Sequence, residues 1–418
     1  MKRVALVAGF TLMMASLAVV RSSAQSADSD KPGQDAGGAS GVHIVFRDRP
    51  SLRVGKVLRV DLRAKLQADR SDSSSGVQTD QALLDMSRRR VGIEGTFLKL
   101  IEFQLERELG RSDPWRDVFV DVRPSLHLQV RGGKFKIPFG LDQLTSPTRL
   151  DFVYRSRIGD YLAPGRDRGV AVHGRIKSRG LAYEGGLFQH DGDNARFGRN
   201  PGADRTIAGR VTVRPFHGSA RSSSLKQLEL AADMTVGRVA EGLNAMRART
   251  TFGTRLFEPV YVNGQRVRMG LDAQWSLGPF SLKAETLRAS DERRRQGLFG
   301  ENLPSLLSRG WYASGSWRIT NERSRGSWGA TELATRYERI SFQSANFGGD
   351  PNDDPPSRSP RATNLVGADD GVWTVGVNWY LNRWTKVQFD AVRERSSGGP
   401  DTRANVVWGS ACRLQFVL

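Results

Sequence analysis

The sequence predicts an all-β fold, a transmembrane antiparallel up-and-down β-barrel of about 16 strands. Three observations predict this fold. The chain begins with a segment typical of export signals, and later segments alternate apolar and polar residues with a period of two. The connections between those segments are alternately short and long. Together these features indicate a protein of the cell outer membrane.

The first residues have the parts of a secretion signal. Lys2 and Arg3 precede a mostly apolar run over 4–20, and Ser22-Ser23-Ala24 supplies small residues for cleavage. We expect three segments: a signal peptide at 1–24, a flexible periplasmic leader at 25–53 and an outer-membrane β-barrel at 54–418. An uncleaved anchor is the alternative, because the apolar run nearly reaches the length of a spanning helix. No later apolar run approaches the roughly 18 residues that such a helix needs.

Alternation is clearest between Leu58 and Ala68, where every even-numbered residue is apolar and every odd-numbered residue is polar. A β-strand places successive side chains on opposite faces, whereas a helix would mix the two sets. The pattern recurs in segments of about ten residues, the length that a tilted strand needs to cross a bilayer. Further examples lie near 91–97, 101–109, 170–177, 207–214, 266–275 and 406–416.

The connections give independent information about topology. Very short joints lie near Leu98–Leu100, Arg123–Ser125, Ser178–Gly180, Leu277–Pro279 and Leu381–Trp384. Long polar stretches alternate with them, at 69–86, 139–167, 191–205, 237–265, 289–308 and 341–371. This rhythm is typical of a barrel with tight periplasmic turns at one end and surface loops at the other. We interpret 247–257 as part of a loop, because a strand there would break the rhythm.

A soluble antiparallel β-sandwich or solenoid is the structural alternative, because it also alternates apolar and polar residues. Its strands need only about five or six residues, however, and its fold requires no export signal. Hydrophobic residues make up 38% of the chain. That low fraction suits a water-filled barrel, whose strands are apolar on one face only.

The composition also limits the classes of partner. The chain carries 63 Lys and Arg against 44 Asp and Glu, a formal charge of +19, which implies an anionic partner. Nucleic acid is disfavoured by the export signal and by the dispersal of basic residues along alternating strands. One Cys and five scattered His offer no metal-site spacing, and no catalytic fingerprint is present. We expect no cofactor, no metal and no enzyme activity, and we interpret His190-Asp191, a possible hydrolytic pair, as a polar loop start.

Basic residues on the polar face of the strands are the predicted pore lining. A charge on the lipid face would cost about 2–4 kcal/mol at mid-bilayer, so these side chains should face water. Arginine stays charged at any relevant pH and can donate two hydrogen bonds to one phosphate. The predicted lumen residues include Arg59, Arg63, Lys65, Arg175, Arg210, Arg214 and Arg268. Acidic residues on the same face, such as Asp61 and Glu106, could pair with them and weaken the selectivity.

A block between Arg131 and Val170 carries a family resemblance. It contains GKFKIPFGL at 133–141, QLTS at 143–146 and APGRDRGV at 163–170, and shorter matches lie at 278–280, 332–337 and 376–382. These motifs resemble the phosphate-selective porin O and P family. The resemblance implies a barrel of about 16 strands, usually a homotrimer, that conducts anions, with phosphate or polyphosphate preferred. The chain departs from outer-membrane barrels in ending on Leu418 rather than on an aromatic residue.

In barrels of this kind the third surface loop often folds inward and narrows the channel. The connection 139–167 follows the fifth predicted strand and therefore occupies that place. The basic residues expected at the constriction lie in this loop and on the strand before it: Arg149, Arg155, Arg157, Arg166, Arg131, Lys134 and Lys136. Solvated loop charges or contacts to acidic lipopolysaccharide would explain them equally. We also expect a bulge at Gly132-Gly133, because Val130 and Phe135 would otherwise face opposite sides.

We therefore expect an outer-membrane porin, a water-filled, anion-favouring channel for phosphate or polyphosphate. A general non-specific porin is the first alternative, and a barrel enzyme or a surface polyanion-binding protein is less favoured. The expected partners are inorganic anions, outer-membrane lipid and lipopolysaccharide, and further copies of the chain in a homotrimer.

Overall fold

The computed structural model describes residues 41–46, 49–74, 85–192, 205–218, 224–242, 245–320, 329–344, 356–362, 367–398 and 405–418. The predicted signal peptide and the first part of the predicted leader lie outside these residues. In the described part of the chain, no helix is both long enough and apolar enough to cross a membrane.

The strands are numbered in chain order. A short hairpin comes first, β1 (Val42–Phe46) and β2 (Pro50–Val54), and all of it except Val54 lies within the range 25–53 assigned to the leader. The next nine are β3 (Leu58–Ser73), β4 (Asp85–Phe97), β5 (Ile101–Glu108), β6 (Trp115–Val122), β7 (Gln129–Lys136), β8 (Arg166–Ile176), β9 (Leu181–Phe188), β10 (Thr206–Val213) and β11 (Glu229–Val239). The remainder are β12 (Ala245–Met246), β13 (Val260–Tyr261), β14 (Gly264–Leu277), β15 (Phe280–Arg293), β16 (Leu303–Arg318), β17 (Ala330–Ser344), β18 (Ala368–Tyr380), β19 (Thr385–Gly398) and β20 (Asn405–Val417). Two short helices, α1 (Leu141–Leu144) and α2 (Arg157–Tyr161), lie between β7 and β8.

Sixteen of these strands, β3–β11 and β14–β20, form one closed antiparallel barrel. Each pairs with its neighbour in the chain, β11 pairs with β14, and β20 pairs with β3 to close the sheet. In the closing pair, Val417 lies opposite Lys65 and Gly409 lies opposite Ser73. β2 extends this seam by pairing with the first residues of β3. The predicted all-β barrel of about 16 strands is confirmed.

Apolar side chains lie on the outer face of the barrel and polar side chains on the inner face, as the alternation predicts. On β3, Leu62 and Leu66 are 45% and 37% exposed, whereas Asp61 and Lys65 are 3% and 7% exposed. The same sorting recurs on β14 and around most of the barrel. A soluble protein buries its apolar face, so this inverted arrangement fits strands that turn apolar side chains to lipid.

Short and long connections alternate around the barrel. At one end, β4–β5, β8–β9, β14–β15 and β18–β19 are joined by turns of two to four residues. In the shortest of them, Gly278 adopts φ +57°, a conformation that most residues avoid. At the other end, 137–165 and 240–263 join their strands. β12 and β13 pair only with each other among the described residues, so 247–257 is part of a loop, as predicted.

The bulge expected at Gly132-Gly133 is absent. β7 pairs in regular register with β6 and β8 through both glycines. Val130 is exposed, whereas Phe135 is buried and packs inside the barrel against Phe119 and Phe188, with ring centroids 6.2 and 5.4 Å away. The prediction was wrong because it assumed that every large apolar side chain on a barrel strand faces lipid.

Phe135 belongs to an apolar cluster in the barrel interior. The cluster combines residues of wall strands with residues of the two long connections, among them Ile137, Phe139, Ile158, Val262, Leu287, Leu306, Ile340 and Phe342. Burial of these side chains stabilises both connections against the inner wall. The polar lumen is therefore narrowed from one side by a packed core.

Candidate functional site

The connection between β7 and β8, residues 137–165, folds into the barrel, and we call it the inward loop. It follows the fifth strand of the barrel, the place that the sequence predicts for it. Ile137, Phe139 and Ile158 in this loop are fully buried. At its start, Gly140 adopts φ +79°, which turns the chain away from the wall and toward α1.

Backbone amides of the inward loop donate to carboxylates on four wall strands. These bonds join Gly140 N to Asp233 Oδ2 (3.2 Å, β11), Asp142 N to Glu285 Oε2 (3.0 Å, β15), Arg157 N to Glu338 Oε2 (2.6 Å, β17) and Val153 N to Asp390 Oδ2 (2.7 Å, β19). All four carboxylates are buried. The sequence analysis singled out none of these four acids, whose contacts fix the position of the loop.

Side chains of the wall also donate to carbonyl groups of the inward loop. The bonds join Lys386 Nζ to Leu150 O (2.9 Å), Asn378 Nδ2 to Asp151 O (2.9 Å), Gln415 Nε2 to Thr148 O (3.1 Å) and Gln67 Nε2 to Pro147 O (3.3 Å). A buried backbone needs partners for both its donors and its acceptors, and the wall supplies both kinds. The loop therefore crosses the lumen from β7 to strands β15–β20 and to the seam between β20 and β3.

Beside the inward loop lies a cavity of about 210 Å³. Its lining comes from three places: the inward loop at 154–161, the connection at 249–253, and wall strands β17 and β18. The charged residues in the lining are Arg155, Arg157, Arg249 and Arg336, together with Asp160 and Glu338. Four guanidinium groups and two carboxylates give this cavity an excess of positive charge.

The side chains of three of these arginines are at most 9% exposed, and only some of their N–H donors have a hydrogen-bond acceptor. Arg155 Nη1 also lies 3.7 Å from Asp142 Oδ2. Arg155 donates from Nη2 to Thr145 O at 3.2 Å, and Arg157 donates from Nε to Asp370 Oδ2 at 2.9 Å. Arg336 donates to the Tyr154 carbonyl at 3.3 Å. Within the described residues, the buried atoms Arg155 Nη1, Arg157 Nη2 and Arg336 Nε have no hydrogen-bond partner. A guanidinium group carries five N–H donors, so unused donors remain on all three residues.

The surroundings of Arg157 keep its side chain charged. Burial alone would lower the pKa of the Arg157 guanidinium, but nearby carboxylates, Asp370 foremost, outweigh burial and hold the pKa above its ordinary value. The guanidinium also lies over the Tyr161 ring, 4.9 Å from the centroid. The position and the charge of this group are therefore both fixed by its neighbours.

Most predicted pore residues are paired with carboxylates rather than free. The pairs are Arg59 with Asp61 (2.5 Å), Arg63 with Glu94, Lys65 with Glu106 (2.5 Å), Arg131 with Asp121 (3.0 Å), Lys134 with Asp113 (2.7 Å), Arg166 with Asp117 (2.9 Å), Arg210 with Asp272 (2.6 Å), Arg214 with Glu229 (2.7 Å) and Arg268 with Asp191 (2.5 Å). Lys134 has the parity of the exposed Val130 and so lies on the outward face of β7. These ion pairs weaken the positive electrostatic field near each basic residue.

The other predicted residues differ in their placement. Lys136 Nζ donates to the carbonyls of Gln143, Leu144 and Thr145 at 2.6–3.0 Å, and so holds the end of α1. Arg149 and Arg175 are exposed, and neither has a carboxylate within 4 Å among the described residues. Of the predicted basic residues, Arg155 and Arg157 are the ones that line the cavity.

Two lining arginines were not predicted. Arg336 lies on β17, where both faces carry polar residues and the alternation is therefore ambiguous. Arg249 lies in the connection after β11, and its backbone N–H donates to Tyr161 Oη at 3.1 Å. No sequence signal links these positions to the inward loop, because tertiary folding alone brings them together.

Asp191 forms a separate clamp, outside the strands and next to the end of β9. Its carboxylate accepts from Arg268 Nη2 at 2.8 Å and from Arg266 Nη1 at 2.6 Å. Burial alone would raise the pKa of Asp191, but the two arginines outweigh it and hold the pKa at about 2. His190 contacts Asp167 instead, with Nδ1 and Oδ1 3.1 Å apart. His190 and Asp191 thus serve different contacts, and this agrees with the interpretation of the pair as a polar loop start.

Comparison with known proteins decides the family. A family model described as phosphate-selective porin O and P matches residues 59–418. The chain belongs to this family. The porin is also 25% identical to Porin O of Pseudomonas aeruginosa over 434 residues, which cover 90% of this chain and 93% of that relative. The predicted family resemblance is confirmed.

Solved structures share the fold of this porin. OmpT of Vibrio cholerae in its trimer form matches with a TM-score of 0.56 and 11% identity, over 87% of this chain and 100% of that one. The outer membrane channel DcaP of Acinetobacter baumannii matches with a TM-score of 0.55 and 8% identity, over 87% and 98%. Salmonella typhi OmpF in complex with daunomycin matches with a TM-score of 0.54 and 10% identity, over 87% of this chain and 98% of that one. Family and fold together place the porin in the outer membrane, as predicted.

Proposed function

We propose that this porin forms a water-filled channel that favours anions, and that phosphate or polyphosphate is among its solutes. The observation that carries the proposal is the cavity beside the inward loop, where Arg155, Arg157 and Arg336 retain unused buried donors. Phosphate oxygens accept strong hydrogen bonds from guanidinium groups, which stay charged at any relevant pH. An anion entering this cavity would accept hydrogen bonds from guanidinium donors that have no hydrogen-bond partner among the described residues.

The charge balance of the lining supports the same proposal. Glu338 accepts from Arg157 N, and its Oε1 lies 2.9 Å from Arg336 Nη2. Glu338 and Arg336 therefore largely neutralise each other. Asp160, the other acid of the lining, is half-exposed, and its Oδ1 lies 4.0 Å from Arg155 Nε. The remaining positive charge provides a weak, multi-donor site that an anion can enter and leave.

A general non-specific porin is the second candidate, and the ion pairs along the lumen favour it. Lys65, Arg210 and Arg268 each contact a carboxylate. If these ion pairs neutralise most of the lumen charge, anion selectivity depends on the cavity alone. Phosphate would then block the chloride current weakly or not at all.

Assembly and surroundings belong to the same proposal. We propose a homotrimer, which the family resemblance implies and which agrees with the trimer form of the Vibrio cholerae OmpT neighbour. We also propose that the apolar outer face contacts outer-membrane lipid and lipopolysaccharide. We propose a channel role and no enzymatic one.

The test is block of chloride current by phosphate in planar bilayers. We expect reversal potentials that favour anions, and reduced chloride current with millimolar phosphate. Arg155→Gln should raise the half-blocking phosphate concentration about tenfold or more, since a hydrogen bond to a charged group contributes about 1.5–3 kcal/mol. Arg149→Gln is the matched control, because this exposed arginine of the same loop does not line the cavity; its block should match that of the wild type.

Three outcomes separate the candidates. Cation selectivity would contradict the proposal that the channel favours anions. Anion selectivity without phosphate block would favour the general porin. Equal effects of the two substitutions would place the site elsewhere than the cavity.

A further inference from the structure

The cavity beside the inward loop is larger than one phosphate ion requires. Its volume is about 210 Å³. A water molecule needs about 10–15 Å³ of such a cavity, so the space corresponds to roughly fifteen waters. An orthophosphate ion, with about five non-hydrogen atoms, takes the place of roughly five of them. The rest of the cavity therefore has room for an attached group of about ten non-hydrogen atoms.

The lining of the cavity is polar throughout. Apart from the charged side chains it consists of tyrosines, threonines and a glycine, and among the described residues no aliphatic one takes part. These uncharged lining residues are Tyr154, Tyr161, Thr250, Thr251, Thr374 and Gly253. Hydroxyl groups both donate and accept hydrogen bonds, and they lose stability against an apolar group that offers neither. The lining therefore fits an attached group that carries hydroxyl groups of its own.

Asp160 is the lining residue that an inorganic anion does not explain. Its carboxylate is half-exposed, and at 4.0 Å it is too far from Arg155 Nε for a hydrogen bond. A carboxylate at this place repels a bare phosphate ion, whereas its oxygens readily accept hydrogen bonds from hydroxyl groups. Asp160 and the arginines together therefore fit a solute with an anionic end and a hydroxylated end.

The helix α2 sets the spacing between these two ends. Arg157 and Asp160 are three residues apart on α2, so their side chains are neighbours with Cβ atoms about 5–6 Å apart. The first turn is held by Ser156 Oγ, which accepts from Gly159 N at 3.2 Å. A molecule whose phosphate group lies at Arg157 therefore brings its hydroxyl groups within reach of Asp160.

From the size and the lining of this cavity we propose that it binds phosphate monoesters of hydroxylated molecules, of which sugar phosphates are the simplest class. The phosphate group accepts from the donors of Arg155, Arg157 and Arg336 that have no hydrogen-bond partner among the described residues. Asp160 accepts from the hydroxyl groups, and the threonines exchange hydrogen bonds with them. Because the phosphate group lies at the same arginines, this site rests on the proposed function and adds to it the chemical class of the solute.

The test compares block of the chloride current by orthophosphate, glucose 6-phosphate and glucose, with the full-length porin in planar bilayers. Glucose 6-phosphate should reach half-block at about tenfold lower concentration than orthophosphate, which corresponds to one or two added hydrogen bonds. Glucose should not block at these concentrations, because it lacks the group that the arginines bind.

Asp160→Ala separates the two ends of the solute. It should raise the half-blocking concentration of glucose 6-phosphate about tenfold, because a charged acceptor is lost. The same substitution should lower the half-blocking concentration of orthophosphate, because a repelling charge is removed. Asp369→Ala is the matched control, since this carboxylate is 44% exposed on the outward face, and it should leave both values unchanged. A bulky solute that blocks by size alone would show no such opposite shifts.

The outcomes keep this site separate from the proposed function. Opposite shifts of the two phosphates in Asp160→Ala, together with tighter block by glucose 6-phosphate in the wild type, would support it. Block by orthophosphate without tighter block by glucose 6-phosphate, or shifts in the same direction in Asp160→Ala, would overturn it and leave the phosphate channel standing. Absence of block by either phosphate would overturn both.

Discussion

Removal of one wall carboxylate should release part of the inward loop. Asp390 is 3% exposed, and its Oδ2 accepts the backbone N–H of Val153 at 2.7 Å. Asp390→Ala removes a charged acceptor and leaves a buried amide without a partner, at a cost of about 2 kcal/mol. Local opening at Val153 should therefore become about 30-fold more frequent.

Hydrogen–deuterium exchange of the refolded porin measures this opening directly. Peptides that contain Val153 should exchange about 30-fold faster in Asp390→Ala, whereas Asp390→Asn, which keeps an oxygen acceptor, should show a smaller increase. Asp369→Ala is the matched control, because this carboxylate lies on the outward face and is 44% exposed. If Asp390→Ala and Asp369→Ala exchange alike at Val153, the wall carboxylates do not hold the loop and the reasoning fails.

Two further predictions concern other contacts. Two arginines hold the pKa of Asp191 at about 2, below its ordinary value of about 3.9. At pH values above about 3.9 this interaction should add about 2 kcal/mol to the free energy of unfolding, and the contribution should be lost as the pH falls toward 2. The stability difference between wild type and Asp191→Asn, measured by denaturant unfolding, should therefore be present at pH 5 and vanish near pH 2; a constant difference would contradict the assignment. Gly140→Ala should lower the folded fraction on heat-modifiability gels, because φ is +79° and an added Cβ would lie 3.0 Å from Glu285 Oε1. Gly132→Ala, with no atom within 4 Å of its Cβ position, should refold like the wild type, and equal losses in the two variants would argue against strain.

Much of the architecture is predictable from the sequence because it depends on local periodicity. Residues 58–68 alternate strictly, and their faces in the barrel are those that the alternation requires. The position of the inward loop follows from counting strands, since an up-and-down barrel joins neighbours in chain order. The same reasoning fails at Phe135, where a phenylalanine faces inward to pack against Phe188 and not outward to lipid.

The candidate site depends on contacts that no local pattern encodes. Arg155 and Arg157 reach Arg336, on a strand about 180 residues later, because wall carboxylates and amides fix the path of the inward loop across the lumen. Pairing of basic residues with acids is likewise set by strand register, as between Lys65 and Glu106 on non-adjacent strands. The sequence by itself determines a barrel with a basic polar face, since period-two alternation is a property of each strand alone. Only the tertiary structure decides which of those charges are neutralised and which remain available, because that depends on distances between strands that are far apart in the chain.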